Sequence, residues 1–367
     1  MSGRLLIVAG VLIAAYLLAS ALIFPVRLLA QRLGVLDFPG GRKSHDVPVP
    51  RLGGLAIFGS LALTVWGSLF WLPYLNYSWI PPSLHESLKA IANYTVVNHK
   101  LYALFSGASI ITLIGLLDDF YGARFSPYLK LAGQTLAAFI LVFAGVRMDA
   151  LQAFPWLSAL MTILWIVGIT NSFNLLDNMD GLSSGIALIC ASIFLVLVLQ
   201  KGEFFNALLI SAIIGSTLGF FQFNLRGRII FMGDTGSLLL GYLLGAISLF
   251  ARYVDQSDKS LFPLLAPVVI LGLPLFDTFS VIIIRLREGR SVFQGDQMHL
   301  SHRLVRIGMS TRQAVLFNYL MALAIAMNAL LILDSNMLRS VVALMQVAAL
   351  VAMVSILMVT KAKNNHK

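Results

Sequence analysis

Residues 157–181 read LSALMTILWIVGITNSFNLLDNMDG. An apolar run through Ile169 passes directly into Asn171, Asn174, Asp177, Asn178 and Asp180. With its flanks the apolar part is long enough to cross a bilayer as a helix, which takes about 20 residues. Amides and carboxylates at a membrane boundary are costly unless something there needs them. Asn171, Asn174 and Asp177 are spaced three apart, so they form a drifting stripe along one side of a helix. A hydrogen-bonded helix–helix contact accounts for one or two such groups, not for five. The stretch therefore indicates a membrane helix with a site at its end. Gly181 and Gly185 would let a ligand come close to the backbone.

The rest of the chain agrees with that class. Of 367 residues, 59% are hydrophobic and 11% charged, and the mean hydropathy is +0.88. Soluble domains carry about 25% charged residues. No polar stretch is long enough for a separate soluble domain, so residues 1–367 read as a single integral-membrane domain, all-α and polytopic. Cys190 is the one cysteine, which excludes an internal disulfide and a cysteine-built zinc cluster. The net charge of +10 would suit nucleic acid. Its basic residues are scattered through short loops, however, as membrane insertion alone requires, and no nucleic-acid partner is expected.

Apolar runs place about eleven transmembrane helices near 5–24, 52–72, 101–117, 129–146, 157–173, 185–200, 204–222, 237–253, 261–284, 313–333 and 338–360. With the N-terminus outside, eighteen Lys and Arg fall in inside loops and eight outside. The positive-inside rule then puts the N-terminus outside and the C-terminus in the cytoplasm. Ala19-Ser20-Ala21 looks like a signal cleavage site, but the positive charge just after it favours a retained span. On this topology Asp118, Asp119, Asp177, Asp180 and Asp234 all lie at the cytoplasmic face. One-sided carboxylates suggest an active site there for a divalent metal and a phosphorylated, partly lipidic substrate.

Three further segments carry chemistry. Leu116-Leu117-Asp118-Asp119-Phe120-Tyr121-Gly122 ends the third span. Adjacent helical residues point about 100° apart, so the two carboxylates cannot both face one atom. One is expected to face a metal while the other meets phosphate or takes a proton, unless both are solvated loop acids. Phe231-Met232-Gly233-Asp234-Thr235-Gly236-Ser237 enters the eighth span. Helix-start amides attract phosphate oxygens and Asp234 a hard cation, with a plain Asp-capped turn as the alternative. In the basic loop 285–312, His299, His302, Arg303 and Arg306 share one face if helical, which suits a diphosphate or sugar phosphate. Zinc ligation and a strip on anionic lipid heads compete with that reading. Asp277 and Arg285 share a helix face, as an ion pair or a substrate contact. Lys43 and Arg51 lie in a basic, turn-rich loop that alone reads as a positive-inside anchor.

In this order the strings RKSHDVPVPRLGGLAIF, GLLDDFYG, NSFNLLDNMDGLSSG, FMGDTGS and DQMHLSHRL resemble the polyprenyl-phosphate N-acetylhexosamine-1-phosphate transferase superfamily. They cover most of the chain. The similarity is greatest to the bacterial enzymes that begin O-antigen, enterobacterial common antigen or wall teichoic acid assembly. It is less to the peptidoglycan translocase branch, whose loop carries three histidines in a row where this chain reads His-Leu-Ser-His-Arg.

The resemblance implies transfer of a sugar 1-phosphate, GlcNAc by default, from a UDP-sugar to undecaprenyl phosphate. Products are undecaprenyl-diphosphate-sugar and UMP, Mg2+ is required with Mn2+ as a substitute, and the place is the bacterial cytoplasmic (inner) membrane. A homodimer is compatible with it. It also implies that Asp234 and Asn174 bind the metal and that Asp118, Asp119, His299 and His302 are catalytic, Asp118 engaging the lipid phosphate. Asn171, Asp177, Asp180, Gly181, Leu182, Phe231, Arg303 and Lys43 would bind substrate, with Phe231 stacking on uracil. Asn178 departs from the glycine of several relatives. A secondary transporter or a lipid flippase is the rival. Transporters place acids near mid-membrane and show repeats with broken helices, and no repeat is visible here.

Overall fold

Every apolar run of the sequence folds as helix. The computed structural model describes residues 2–38, 47–74, 81, 84, 85, 87, 88, 91, 98–151, 153–225, 229–254, 261–291, 298–333 and 336–364. Lys43, expected to bind substrate, lies outside the described residues, as does Asp296. The helices are α1 (Ser2–Leu33), α2 (Gly53–Trp71), α3 (Asn98–Tyr121), α4 (Pro127–Phe143), α5 (Pro155–Leu176), α6 (Leu182–Gln200), α7 (Phe204–Asn224), α8 (Gly233–Phe250), α9 (Ala266–Ile270), α10 (Gly272–Arg287), α11 (Leu300–Arg306), α12 (Thr311–Ile332) and α13 (Met337–Asn364). Proline opens α4 and α5, at a position whose amide needs no helical partner.

The chain is an all-α polytopic membrane protein. Among the described residues nine helices are long and apolar enough to cross a bilayer, and ten if α9 and α10 form one bent span. Two differences from the expected eleven have physical causes. Helix α4 has 17 residues, about 25 Å of rise, at the lower end of what spans a bilayer, so it falls outside the count of nine by length alone. The expected span 261–284 is broken, with a 70° bend between Phe262–Ile270 and Gly272–Arg287. Pro274 lacks the N–H that would bond the carbonyl of Ile270, and its ring crowds that carbonyl. The chain therefore turns between α9 and α10. Helix α1 is longer than the expected 5–24 and carries Arg27 and Arg32 within it.

Helix α8 is the centre of the bundle, buried from Thr235 through Ser248. It packs on α2, α3, α5 and α6. Glycines let backbones touch. A Cβ on Gly54 would lie 2.2 Å from Gly236 N, and one on Gly115 2.5 Å from Thr235 Cα. Such close contact is how helices gain van der Waals energy where lipid removes the hydrophobic drive. Trp165 Nε1 donates to Ser248 Oγ at 2.9 Å, and Tyr242 Oη to Leu104 O at 3.2 Å. Exposed Leu6, Leu17 and Phe24 on α1, Phe143 on α4, and Met345 and Ile356 on α13 form the lipid-facing exterior.

A two-residue ladder is the strand structure among the described residues. Strands β1 (Leu36–Asp37) and β2 (Val49–Pro50) pair antiparallel, with Asp37 opposite Val49. The chain continues beside the segment before α8. Phe231 N donates to Pro50 O at 2.7 Å, Gly53 N to Phe231 O and Gly54 N to Met232 O, each at 3.0 Å. These bonds hold Arg51 next to the start of α8.

Candidate active site

The ends of α3, α5 and α8 and the start of α4 bring four polar side chains to one point. Lys130 Nζ, from α4, donates to Asp118 Oδ2 at 2.7 Å and to Asn174 Oδ1 at 3.0 Å, and lies 3.4 Å from Asp234 Oδ2. Asn174 Nδ2 donates to Asp234 Oδ1 at 2.5 Å and to Ser237 Oγ at 2.9 Å. The side chains of Asp118, Lys130 and Asp234 are 14%, 17% and 27% exposed, so the cluster can be reached from outside. Three oxygens from three helices thus surround one cationic nitrogen. Asp118 and Asp234 tolerate this proximity because the Lys130 ammonium lies close to both.

The neighbouring Asp119 has a different task. Its Oδ1 accepts from Asp234 N at 2.9 Å, and its Oδ2 accepts from Thr235 N at 2.9 Å and Thr235 Oγ1 at 2.7 Å. The first amides of a helix lack intrahelical acceptors, and an anion there also meets the positive end of the helix dipole. The phosphate expected at this helix start is replaced by a carboxylate of the protein. The Asp119 side chain is 0% exposed. A helical pair of acids is thus divided, Asp118 toward Lys130 and Asp119 into the cap that fixes Asp234.

Arg51 Nε is 3.8 Å from Asp119 Oδ1, and Arg51 Nη1 is 3.6 Å from Asp37 Oδ1. Burial alone would lower its pKa, but the charges of Asp119, Asp37, Asp234 and Asp177 raise it above the ordinary value. Gly233 has φ 70°, and a Cβ there would lie 2.2 Å from Arg51 O, so only glycine fits. Phe231 is half-buried beside this turn.

The loop after α5 is held on several sides. Asn171 pairs with Gln134 of α4, donating from Nδ2 to Oε1 at 2.6 Å, so it is one of the helix–helix contacts that the sequence allowed for. Asp177 caps the C-terminus of α5. Protein surrounds its half-buried carboxyl, and this desolvation, reinforced by Asp234, Asp119 and Asp180 against Arg51, pushes its pKa up to about 8. Asp180 is half-buried in the same turn. Gly181 N donates to Asn224 Oδ1 at 2.9 Å, and Tyr319 Oη to Gly181 O at 2.6 Å. The space expected for a ligand at Gly185 is filled by Tyr319, whose ring atoms would lie 2.3 Å from a Cβ there. Leu182 is fully buried and packs into the core.

The described end of the basic loop, from Met298 on, is bonded to α10 and to the loop after α5. His299 Nδ1 lies 2.7 Å from Asp277 Oδ2, and Leu300 N donates to Asp277 Oδ1 at 2.6 Å. Both oxygens of Asp277 are engaged by the histidine segment, where the sequence had suggested Arg285. A carboxylate accepts, so Nδ1 of the ring faces Asp277 with its proton and the ring's orientation is fixed. His302 and Arg303 follow on α11, both half-buried. Arg303 Nη2 donates to Ser280 Oγ at 2.9 Å. Burial lowers the Arg303 pKa, with Asp277 opposing and Arg306 adding to the effect. Ser301 Oγ donates to Asn178 Oδ1 at 2.6 Å, tying α11 to the loop after α5.

Asp118, Asn174 and Asp234 therefore converge, Asp119 supports them, and Asp177 and Asp180 follow Asn174 in the loop that ends α5. Lys130 and Arg51 were missed as site residues because each read as a positive-inside charge. The signal for Lys130 was a lone charge three residues into a helix opened by Pro127. Among the described residues no three His, Cys, Asp or Glu side chains gather as a metal set. The oxygen cluster uses an amide, Asn174, as its third member.

Comparison with known proteins places this geometry in context. Residues 101–252 match the family model described as glycosyl transferase family 4. A Bacillus subtilis protein named as a probable undecaprenyl-phosphate N-acetylglucosaminyl 1-phosphate transferase is 34% identical over 315 residues, 84% of this chain and 80% of the relative. The decaprenyl-phosphate N-acetylglucosaminephosphotransferase of Mycobacterium tuberculosis is 36% identical, over 81% of this chain and 75% of its own length. An undecaprenyl-phosphate alpha-N-acetylglucosaminyl 1-phosphate transferase of Yersinia pestis is 27% identical, over 88% and 84%.

Proposed function

The chain belongs to glycosyl transferase family 4, and on that premise we propose that it transfers N-acetylglucosamine 1-phosphate from a UDP-sugar to undecaprenyl phosphate, releasing UMP. The observation that carries the reading is the convergence of Asp118, Asn174 and Asp234 on Lys130 at the ends of membrane helices. The excess of Lys and Arg in loops on that side supports a cytoplasmic site in an inner membrane. The product is the lipid-linked first sugar of an envelope glycan.

Donor and acceptor are both anionic, so the site must supply positive charge and alignment. Among the described residues Lys130 and Arg51 lie at the acid cluster, and Arg303 on α11 adds a third cation. The oxygen set suits Mg2+, a hard ion usually held by one or two carboxylates together with substrate phosphates. Asp118, Asn174 and Asp234 already direct oxygens at one cation, the Lys130 ammonium, and Asp234 and Asn174 would hold the metal. Bound there, Mg2+ would neutralise diphosphate charge and make UMP a better leaving group.

The remaining work belongs to the chain. Asp119 fixes the start of α8 and with it Asp234. Asp277 fixes the ring of His299, and Arg303 offers a guanidinium fork suited to a diphosphate. Asp118 orients the acceptor phosphate in concert with Lys130. A lipid phosphate is ionised at neutral pH, so positioning for in-line attack matters more than a strong base.

Purified protein given undecaprenyl phosphate and a panel of radiolabelled UDP-sugars tests the reading. Labelled lipid and UMP should form from UDP-GlcNAc with Mg2+ or Mn2+ and not in EDTA. Absence of lipid product with every donor, or uptake into vesicles without turnover, would overturn it in favour of a transporter.

A further inference from the structure

Asn178 and Ser301 lie 123 residues apart, and their hydrogen bond of 2.6 Å joins two segments that each carry site residues. On one side is the loop after α5, with Asp177 and Asp180. On the other is α11, which follows His299 and carries His302 and Arg303. Each segment is anchored at its far side. The α5 loop is tied to Asn224 and Tyr319 through Gly181, and Asn178 Nδ2 donates to Leu175 O at 3.0 Å. The α11 segment is tied to α10 through Asp277 and Ser280. Ser301 is buried at 2% exposure, so water does not readily replace the bond.

We propose that the Asn178–Ser301 hydrogen bond is a positioning contact that sets the spacing between the acidic loop and the histidine–arginine segment, and so sets affinity for a UDP-sugar that spans both. The proposal rests on the transferase reading above. Neither residue acts on the reacting atoms. With the outer anchors intact, loss of this one bond leaves the helices packed but lets the two binding segments separate.

The test is a kinetic cycle on the full-length protein with Ser301→Ala, Asn178→Ala, the double variant and Ser301→Thr. Each single alanine variant should raise the donor KM about tenfold, the scale of one lost hydrogen bond. Acceptor KM and kcat should stay within about twofold, and the double variant should be no worse than either single one. Ser301→Thr keeps the hydroxyl and should keep the wild-type donor KM. Unchanged donor KM in both single variants, additive losses in the double, or a fall confined to kcat would overturn the proposal. So would a threonine variant that behaves like alanine. If buried Ser301 does not accept substitution, Asn178→Ala in the half-exposed loop carries the same test. Calorimetric binding of UDP reads the contact without turnover: about tenfold weakening in Asn178→Ala is expected, and equal affinity overturns it. A wild-type protein that binds UDP but uses no UDP-sugar would sink the transferase reading and leave the contact standing.

Discussion

Asp119 and Thr235, 116 residues apart, are joined twice: the amide and the hydroxyl of Thr235 both donate to Asp119 Oδ2, at 2.9 and 2.7 Å. The helix that presents Asp234 is thereby capped by the residue next to Asp118. Asp119→Asn keeps the shape but turns an NH2 toward groups that can only donate or prefer to. A loss of about 1–3 kcal/mol is expected, the scale of a buried charged acceptor made unsatisfactory. It should appear as a lower thermal midpoint in detergent together with reduced turnover. An unchanged midpoint would remove the cap from the account.

Lys130 sits beside both Asp118 and Asp234 and offsets the repulsion between their carboxyl groups. Lys130→Met should lower the thermal midpoint in EDTA, and added Mg2+ should recover part of it, because a metal can take over the neutralisation. Turnover should fall by about 10²-fold or more, as for loss of a charge that stabilises a transition state. Insensitivity of the variant's midpoint to Mg2+ would speak against a shared cation position.

Asp177 sets a pH dependence. Its ordinary pKa is about 4, and in the fold burial first, then Asp234, raise it to about 8. A raised carboxyl pKa means that the folded state holds the proton longer. Its stabilising contribution is complete below about pH 4 and is lost as pH rises to about 8. Asp177→Asn removes that loss. In metal-free detergent the variant's midpoint should gain on wild type from pH 4 to pH 8 and then level off. A constant difference across that range would contradict the assignment.

The glycine contacts at α8 separate close packing from chain flexibility. A methyl at Gly54 would meet backbone at 2.2 Å, so Gly54→Ala should cost about 1–3 kcal/mol or prevent assembly. Gly168, within α5, has nothing within 4 Å of an added Cβ. Gly168→Ala should be neutral or stabilise by about 0.5–1 kcal/mol. Size-exclusion profiles and midpoints of the two variants distinguish the cases, and equal behaviour would contradict the packing.

The helices and the acids were legible in the sequence for one reason. Apolar length and the rarity of carboxylates at a bilayer edge are both strong signals in a single chain. The partners of those acids were not legible. Lys130 and Arg51 look the same as charges that only orient a membrane protein, and Asp277 reaches His299 across a loop. The apolar composition of 261–284 hid its break, since Pro274 and Gly272 alter direction without altering hydropathy. That broken helix is a feature expected of the transporter rival, yet α10 uses it to bring Asp277 to the histidine segment. Asp119 could not be assigned a cap, because nothing local links it to residues 234 and 235.

The most direct measurement is turnover of Asp118→Asn and Asp234→Asn, each purified in a folded state shown by size exclusion, with UDP-GlcNAc, undecaprenyl phosphate and Mg2+. Convergence of these carboxylates at Lys130 predicts that each variant loses at least about 10³-fold in lipid product while keeping its fold. Wild-type turnover in either variant would contradict the account.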